Sequence, residues 1–304
     1  MFDRILVPLD RSALAERAIP YAIALARAVN GHIALLHATP SGRAPGQGEA
    51  ELDVAARLDE LADQLRRQGI RVDARTVPGN AAEAIVDAAG HAHTDVIVMS
   101  THGRGGLGRW LYGSVADQVL RRAEVPILLV SAACDHPWPT DRPLKMLVSL
   151  DGSETSEAVL DSARQLGQIL GADAIFLRVI EAAASSAIGF DPAHLRISRP
   201  EADGGLAEAS EYLERIAGQP ASPFRSVDTI VDVGEPAARI TAQARQEGAD
   251  LIVMATHGRT GLARLTVGSV VTATLHRTHV PMLLMRPAGL RESDTETPDA
   301  ASRR

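Results

Sequence analysis

Two stretches of the chain share one spacing of small and polar residues: THGRGGLGRWLYGSV, starting at Thr101, and THGRTGLARLTVGSV, starting at Thr256. In each, nine residues separate the glycine of a His-Gly-Arg turn from a Gly-Ser pair. Gly103 and Gly113 bracket Arg104 to Tyr112, and Gly258 and Gly268 bracket Arg259 to Val267. Gly113-Ser114 and Gly268-Ser269 each open a helical pattern. The chemistry these residues suit is anion binding. A phosphate needs backbone N–H groups that converge without Cβ obstruction, and it gains from the positive end of a helix. A bland turn would not require the same spacing twice with serine after the last glycine.

Other polar residues near these stretches carry weaker signals. His102 and His257 stand alone in their copies, without carboxylate or thiolate companions at ligand spacing, and read as structural rather than as metal ligands or acid–base groups. Arg104 and Arg259 are loop arginines whose ordinary role is to be solvated, with phosphate pairing as the alternative. Asp10 and Asp151 each follow an apolar strand and precede a serine-led helix, so turn chemistry and ligand contact both remain open for them. No catalytic constellation and no metal cluster emerges from the spacing.

The elements that must position these residues come in two copies. Gly103 pairs with Gly258 and Pro126 with Pro281 at an offset of 155, whereas Asp10 pairs with Asp151 at an offset of 141. The second copy therefore carries about 14 extra residues, expected in a long surface loop from Glu181 to Gly205. Each copy reads strand, helix, strand, loop, helix, strand, helix, strand, helix, strand. That alternation predicts an α/β fold: two tandem doubly wound parallel five-stranded sheets, Rossmann-like, with helices on both faces. In copy one the strands are expected at Ile5 to Leu9, Ile33 to His37, Val72 to Val77, Val96 to Ser100 and Ile127 to Val130. Most are apolar runs suited to burial on both sides. Ser12 and Ser153 sit where a helix should begin, and Pro20 inside the following pattern predicts a kink.

These anchors divide the chain into domain 1 at residues 1–133, a linker at 134–143, domain 2 at 144–288 and a disordered tail at 289–304. The linker carries Pro137, Pro139 and Pro143 among polar residues. The 304-residue length suits two cores. Aliphatic packing is expected from 45% hydrophobic but only 3% aromatic residues. The net charge of −7 opposes nonspecific association with nucleic acid or anionic membranes. Cys134 is the single cysteine, which excludes an intrachain disulfide and a thiolate cluster. The N-terminus MFDRILVPLD runs directly into a strand pattern, so neither export nor membrane insertion is indicated and a cytoplasmic location is expected.

With these residues in place, the chain resembles the universal stress protein family. The carriers are the strand, HGR, nine-residue and GS arrangement, the openings ILVPLD and MLVSLD, and the closing runs VPILLV and VPMLLM. The resemblance covers both halves and implies an adenine nucleotide α-hydrolase-like fold. It also implies an ATP-binding regulatory role in the stress response, with ATP as cofactor and Mg²⁺ held through phosphate oxygens and water. In the family's ATP-binding branch the fingerprint is Gly, two residues, Gly, nine residues, Gly, then Ser or Thr. Here the first glycine is replaced by Ser100 and by Ala255, which are expected to make backbone contacts.

The resemblance further places Asp10 and Asp151 beside the ribose, and Ala38, Val179, Met99 and Met254 against adenine. Gly103, Gly113, Ser114 and Val115, with Gly258, Gly268, Ser269 and Val270, are assigned to the phosphates. Slow ATPase or phosphotransferase activity and a ligand-free structural role stand as alternatives. The closing strands are implied to pair antiparallel, so the two copies pair within one chain, and a homodimer of tandem chains is open.

Overall fold

The structure is a computed structural model that describes residues 2–39, 48–101, 113–134, 137–181, 199–219, 223–256 and 267–286. The first repeat runs β1 (Arg4–Pro8), α1 (Ala13–Glu16), α2 (Ile19–Val29), β2 (His32–Thr39), α3 (Gly48–Arg67), β3 (Arg71–Pro78), α4 (Ala81–His91), β4 (Val96–Ser100), α5 (Ser114–Arg122) and β5 (Ile127–Val130). The second repeats it as β6 (Lys145–Ser149), α6 (Glu154–Glu157), α7 (Leu160–Leu170), β7 (Asp173–Ile180), α8 (Arg199–Ala217), β8 (Val227–Val233), α9 (Pro236–Gln246), β9 (Leu251–Ala255), α10 (Ser269–Arg277) and β10 (Met282–Met285).

Each repeat forms a parallel five-stranded unit with helices on both faces, as the alternation predicts. The two units do not stay separate. They join edge to edge into one ten-stranded sheet in the order β3-β2-β1-β4-β5-β10-β9-β6-β7-β8. The joint is the antiparallel pair β5 and β10, and every other pairing is parallel. Both strands at the joint are short apolar runs, and β5 is buried along its whole length. Left as an edge, such a run would present unpaired N–H and C=O groups beside apolar side chains, and mutual pairing removes both exposures.

Alternation along the strands divides the core between two faces. Ile5, Val7, Leu9, Ile33, Leu35, Val96 and Val98 pack on one side with residues of α2 and α3. Leu6, Leu36, Ile97 and Met99 pack on the other with residues of α4 and α5. The corresponding strands of the second repeat do the same.

Ser12 and Ser153 are helix N-caps, as expected. Ser12 Oγ accepts the Ala15 N–H at 3.0 Å, and Ser153 Oγ accepts the Ser156 N–H at 3.1 Å. The kink expected at Pro20 takes a different form: the helical pattern is divided into α1 and α2, with Pro20 in the first turn of α2. There a proline costs little, because its missing N–H would have had no intrahelical acceptor. The second repeat divides at the same place without a proline, between α6 and α7, so the break belongs to the turn rather than to Pro20.

The expected loop from Glu181 to Gly205 is shorter than the sequence suggests, because α8 already begins at Arg199. Gly204 and Gly205 lie within that helix. The periodic burial of Ala209, Tyr212, Leu213 and Ile216 holds it against the sheet, which outweighs the weak propensity of two glycines.

The segment between the repeats is not a loose tether where it is described. Trp138 is buried, stands edge-on to Tyr21 of α2 at 5.4 Å between centroids, and donates Nε1–H to the Asp250 carbonyl at 3.2 Å. Arg142 forks onto both carboxylate oxygens of Asp250 at 2.7 Å each. One indole thus touches both domains. The tail expected to be disordered lies outside the described residues. Among the described residues no helix is long and apolar enough to cross a membrane.

Candidate functional site

Parallel pairing brings the carboxyl ends of β1, β2 and β4 to one rim of the first domain, and the expected residues gather there. Asp10 follows β1, Ala38 lies near the end of β2, Met99 and Ser100 close β4, and Gly113, Ser114 and Val115 begin α5. β1 sits between β2 and β4, and the chain leaves β1 toward β2 but leaves β4 toward β5. That divergence is a topological switch point, and the carboxyl ends beside it are the usual ligand position in open α/β sheets. The second domain repeats the arrangement with Asp151, Val179, Met254, Ala255, Gly268, Ser269 and Val270. Because β5 and β10 are antiparallel, the two rims face opposite ways along the sheet. Gly103 and Gly258, together with His102, His257, Arg104 and Arg259, lie outside the described residues.

The start of α5 is fixed by two backbone hydrogen bonds. The Thr101 N–H donates to the Val130 carbonyl at 3.0 Å, and the Gly113 N–H donates back to the Thr101 carbonyl at 2.6 Å. The second repeat is built alike: Thr256 N–H to Met285 carbonyl at 2.8 Å, and Gly268 N–H to Thr256 carbonyl at 2.8 Å. The buried strand extension is thereby tied to the neighbouring strand, and the helix start is tied to the extension.

Gly113 and Gly268 are the N-cap residues of α5 and α10, with φ/ψ of −59/146° and −57/146°. Any residue adopts that backbone, and Ser, Thr, Asp or Asn would also cap the helix with a side-chain oxygen. Glycine occupies both positions, and no side-chain hydrogen bond caps either helix. What glycine changes here is the side chain: none extends from the N-cap over the first-turn amides. Since the glycine N–H is spent on the threonine carbonyl, the donors presented by the first turn are those of Ser114, Val115 and Ala116, and of Ser269, Val270 and Val271. Ser114 and Ser269 are exposed.

Asp10 and Asp151 perform turn chemistry in both copies. Asp10 Oδ1 accepts the Ser12 N–H at 2.9 Å, and Asp151 Oδ1 accepts the Ser153 N–H at 2.9 Å and its hydroxyl at 2.5 Å. Met99 and Met254 are buried in the core beneath the α4/α5-type helical layer and Ala255 is buried on the opposite face of the sheet, whereas Ala38, Ser100 and Val179 are half-buried at the rim. Among the described residues no group of three or more His, Cys, Asp or Glu side chains gathers at metal-binding geometry.

The comparisons with known proteins agree with this architecture. The model of the universal stress protein family matches residues 1–131 and again 144–286. A universal stress protein of Mycobacterium tuberculosis is 30% identical over 196 residues, a match covering 63% of this chain and 62% of that protein. The match therefore spans under two thirds of that relative's length. A universal stress protein of Mycolicibacterium smegmatis is 27% identical over 299 residues, covering 93% of this chain and 97% of that one. The crystal structure of a universal stress protein from Archaeoglobus fulgidus superimposes with a TM-score of 0.70 at 18% identity, covering 94% of this chain and 99% of that one, a likeness of fold. Matched twice in tandem over most of its length, the chain belongs to the universal stress protein family.

Proposed function

We propose that the protein binds one adenine nucleotide in each domain and acts as a nucleotide-dependent regulatory protein of the cytoplasmic stress response. The observation that carries this reading is the glycine N-cap at Gly113 and Gly268. In each repeat a backbone that any residue could adopt is given to the one residue that leaves the helix amides unobstructed. The residues present fit a triphosphate. The Ser114, Val115 and Ala116 amides and their counterparts would receive phosphate oxygens, and the serine hydroxyls are exposed beside them. Mg²⁺, when bound, would neutralise charge between phosphates and would be held by their oxygens and water rather than by a protein cage. Adenine would lie against the backbone of Ala38 and Val179 and of the residues preceding Ser100 and Ala255.

The engagement of Asp10 and Asp151 in their own turns favours binding over hydrolysis, because a carboxylate held by the following serine is not positioned as a base for an attacking water. The reading is tested by denaturing the purified protein, chromatographing any released nucleotide, titrating ATP calorimetrically and assaying phosphate release. Saturable ATP binding with negligible phosphate release is expected. Absence of both bound nucleotide and calorimetric binding would leave the ligand-free alternative.

A further inference from the structure

A cleft opens on the face of the first domain's sheet that α2 and α3 cover, between the turn after β1, the end of β2 and α3. Leu9, Arg11, Glu16, His37, Leu58 and Leu61 line it, and its volume is about 100 Å³. Leu9 and Leu58 belong to the core cluster of the α2 and α3 face, whereas Met99 and Leu36 belong to the opposite face. The cleft is therefore distinct from the glycine-capped rim.

Arg11 marks this cleft as more than a packing gap. Its backbone is left-handed, with φ 70°, a conformation that favours glycine, and the second repeat places Gly152 there at φ 84°. Arginine is retained in copy one against that preference. Its Nε is buried and finds no acceptor among the described residues. A desolvated guanidinium N–H without a partner is costly unless something supplies the acceptor.

The second repeat resolves the same region internally. His37 becomes Arg178, and in the register that superimposes the buried residues of α3 and α8, Leu61 becomes Tyr212. The Arg178 guanidinium lies 5.0 Å from the Tyr212 ring centroid and faces Glu208 at 3.7 Å. A Cβ at Gly152 would stand 3.2 Å from Arg178 Cζ, so the guanidinium covers the position from which Arg11 projects in copy one. Among the described residues, copy two fills the region with its own side chains and copy one does not.

We propose that the copy-one cleft binds a small organic monocarboxylate with an aliphatic body. The carboxylate would pair with the Arg11 guanidinium, and the aliphatic part would lie against Leu58 and Leu61, with the His37 ring held aside by its Nδ1–H donating to the Leu9 carbonyl at 2.7 Å. A single negative charge fits better than two. Glu16 faces Arg57 at 3.5 Å and Glu60 is exposed at the mouth, so a phosphate dianion would meet more repulsion without gaining apolar contact.

The test uses full-length protein without nucleotide and three probes: hexanoate, hexylammonium and inorganic phosphate, each titrated by NMR or calorimetry. Hexanoate is expected to bind saturably in the millimolar range and better than either other probe. Arg11→Gly installs the residue that the backbone favours and should fold at least as well, yet weaken hexanoate at least tenfold. Leu61→Tyr, which imports the copy-two residue, should also weaken it. ATP titration of both variants distinguishes this site from the proposed nucleotide site, because it should be unchanged. Failure of hexanoate to saturate, preference for phosphate or hexylammonium, or undiminished binding to Arg11→Gly would each overturn the proposal.

Discussion

Leu128 of β5 lies directly opposite Leu283 of β10, the residue that holds the same position in the second repeat. The flanking pairs are reciprocal: Ile127 faces Leu284 and Leu129 faces Met282. A contact in which each residue meets the equivalent of its partner's neighbour is the pattern of a two-fold axis, realised here inside one chain. Both leucines are buried on the same face of the sheet.

Truncation at this axis should therefore be both costly and coupled. Leu128→Ala and Leu283→Ala are each expected to cost about 2–5 kcal/mol by lost burial and residual cavity. Because the second truncation enlarges a void the first has already opened, the double variant should depart from additivity by about 0.5 kcal/mol or more. Urea unfolding of the four proteins measures this, and strictly additive losses would contradict direct opposition of the two side chains.

Gly167 in α7 offers a case in which helix propensity and packing disagree. An alanine in a helix interior is ordinarily favoured over glycine by about 1 kcal/mol. Here a Cβ would stand 2.2 Å from Phe224 Cε1 and 2.4 Å from Cδ1, and that ring is buried edge-on to Phe176. Moving a buried aromatic ring costs more than the propensity returns, on the order of 1–3 kcal/mol for an overpacked core. Gly167→Ala should lower the thermal midpoint, and Gly167→Ala combined with Phe224→Leu should recover part of the loss. A raised midpoint in the single variant would show that the ring has room to shift.

Asp232 at the end of β8 predicts an acid-dependent stability. Burial pushes its carboxyl upward, but hydrogen bonds from Arg239 Nε at 2.8 Å, Arg239 Nη2 at 2.7 Å and Gln243 Nε2 at 2.7 Å outweigh burial and hold it below the ordinary 3.8. The folded chain then binds this proton less readily than the unfolded chain does. The contribution is present above pH 3.8 and is lost as pH falls through the lowered folded value. Asp232→Asn should cost about 1–3 kcal/mol at pH 7, where it leaves charged donors facing an amide. It should also flatten the loss of stability below pH 4. Urea midpoints at pH 7 and pH 3 for both proteins check this; parallel pH profiles would remove the carboxylate from the account.

How much of this was legible in the sequence depends on whether a local pattern or a remote contact decides each feature. The strands were readable because both faces of the sheet are covered, which leaves apolar runs such as VIVM and ILLV with little competing signal. The caps at Ser12 and Ser153 were readable because the side chain and its acceptor role lie within three residues. Trp138 was not: a proline-rich polar segment reads as a tether, and only the approach of Tyr21 and the Asp250 carbonyl reveals it as a clasp. Arg11 was also missed, although a signal was available in the repeat itself, where arginine stands in copy one and glycine in copy two at a turn that needs positive φ. The Gly-Ser pairs were legible as helix starts. That the glycine amides point back to Thr101 and Thr256, leaving the next three amides as donors, required the fold.

That last geometry makes Gly268 the sharpest test of the proposed nucleotide site. At φ −57° and ψ 146° a valine meets no backbone penalty, and the position makes no side-chain cap that valine would remove. The cost to folding should therefore be about 1 kcal/mol or less, the usual difference between glycine and a non-capping residue at a helix start. A branched side chain beside the Ser269, Val270 and Val271 amides would instead stand where phosphate must approach. Gly268→Val should raise the ATP dissociation constant of the second domain more than tenfold while shifting the urea midpoint little, and Gly268→Ala should fall between it and the wild type. Gly113→Val should do the same for the first domain without altering the second, since the two rims face opposite ways along one sheet. Comparable losses of affinity and stability would return both glycines to a packing role, and unchanged affinity would move the phosphates away from these helices.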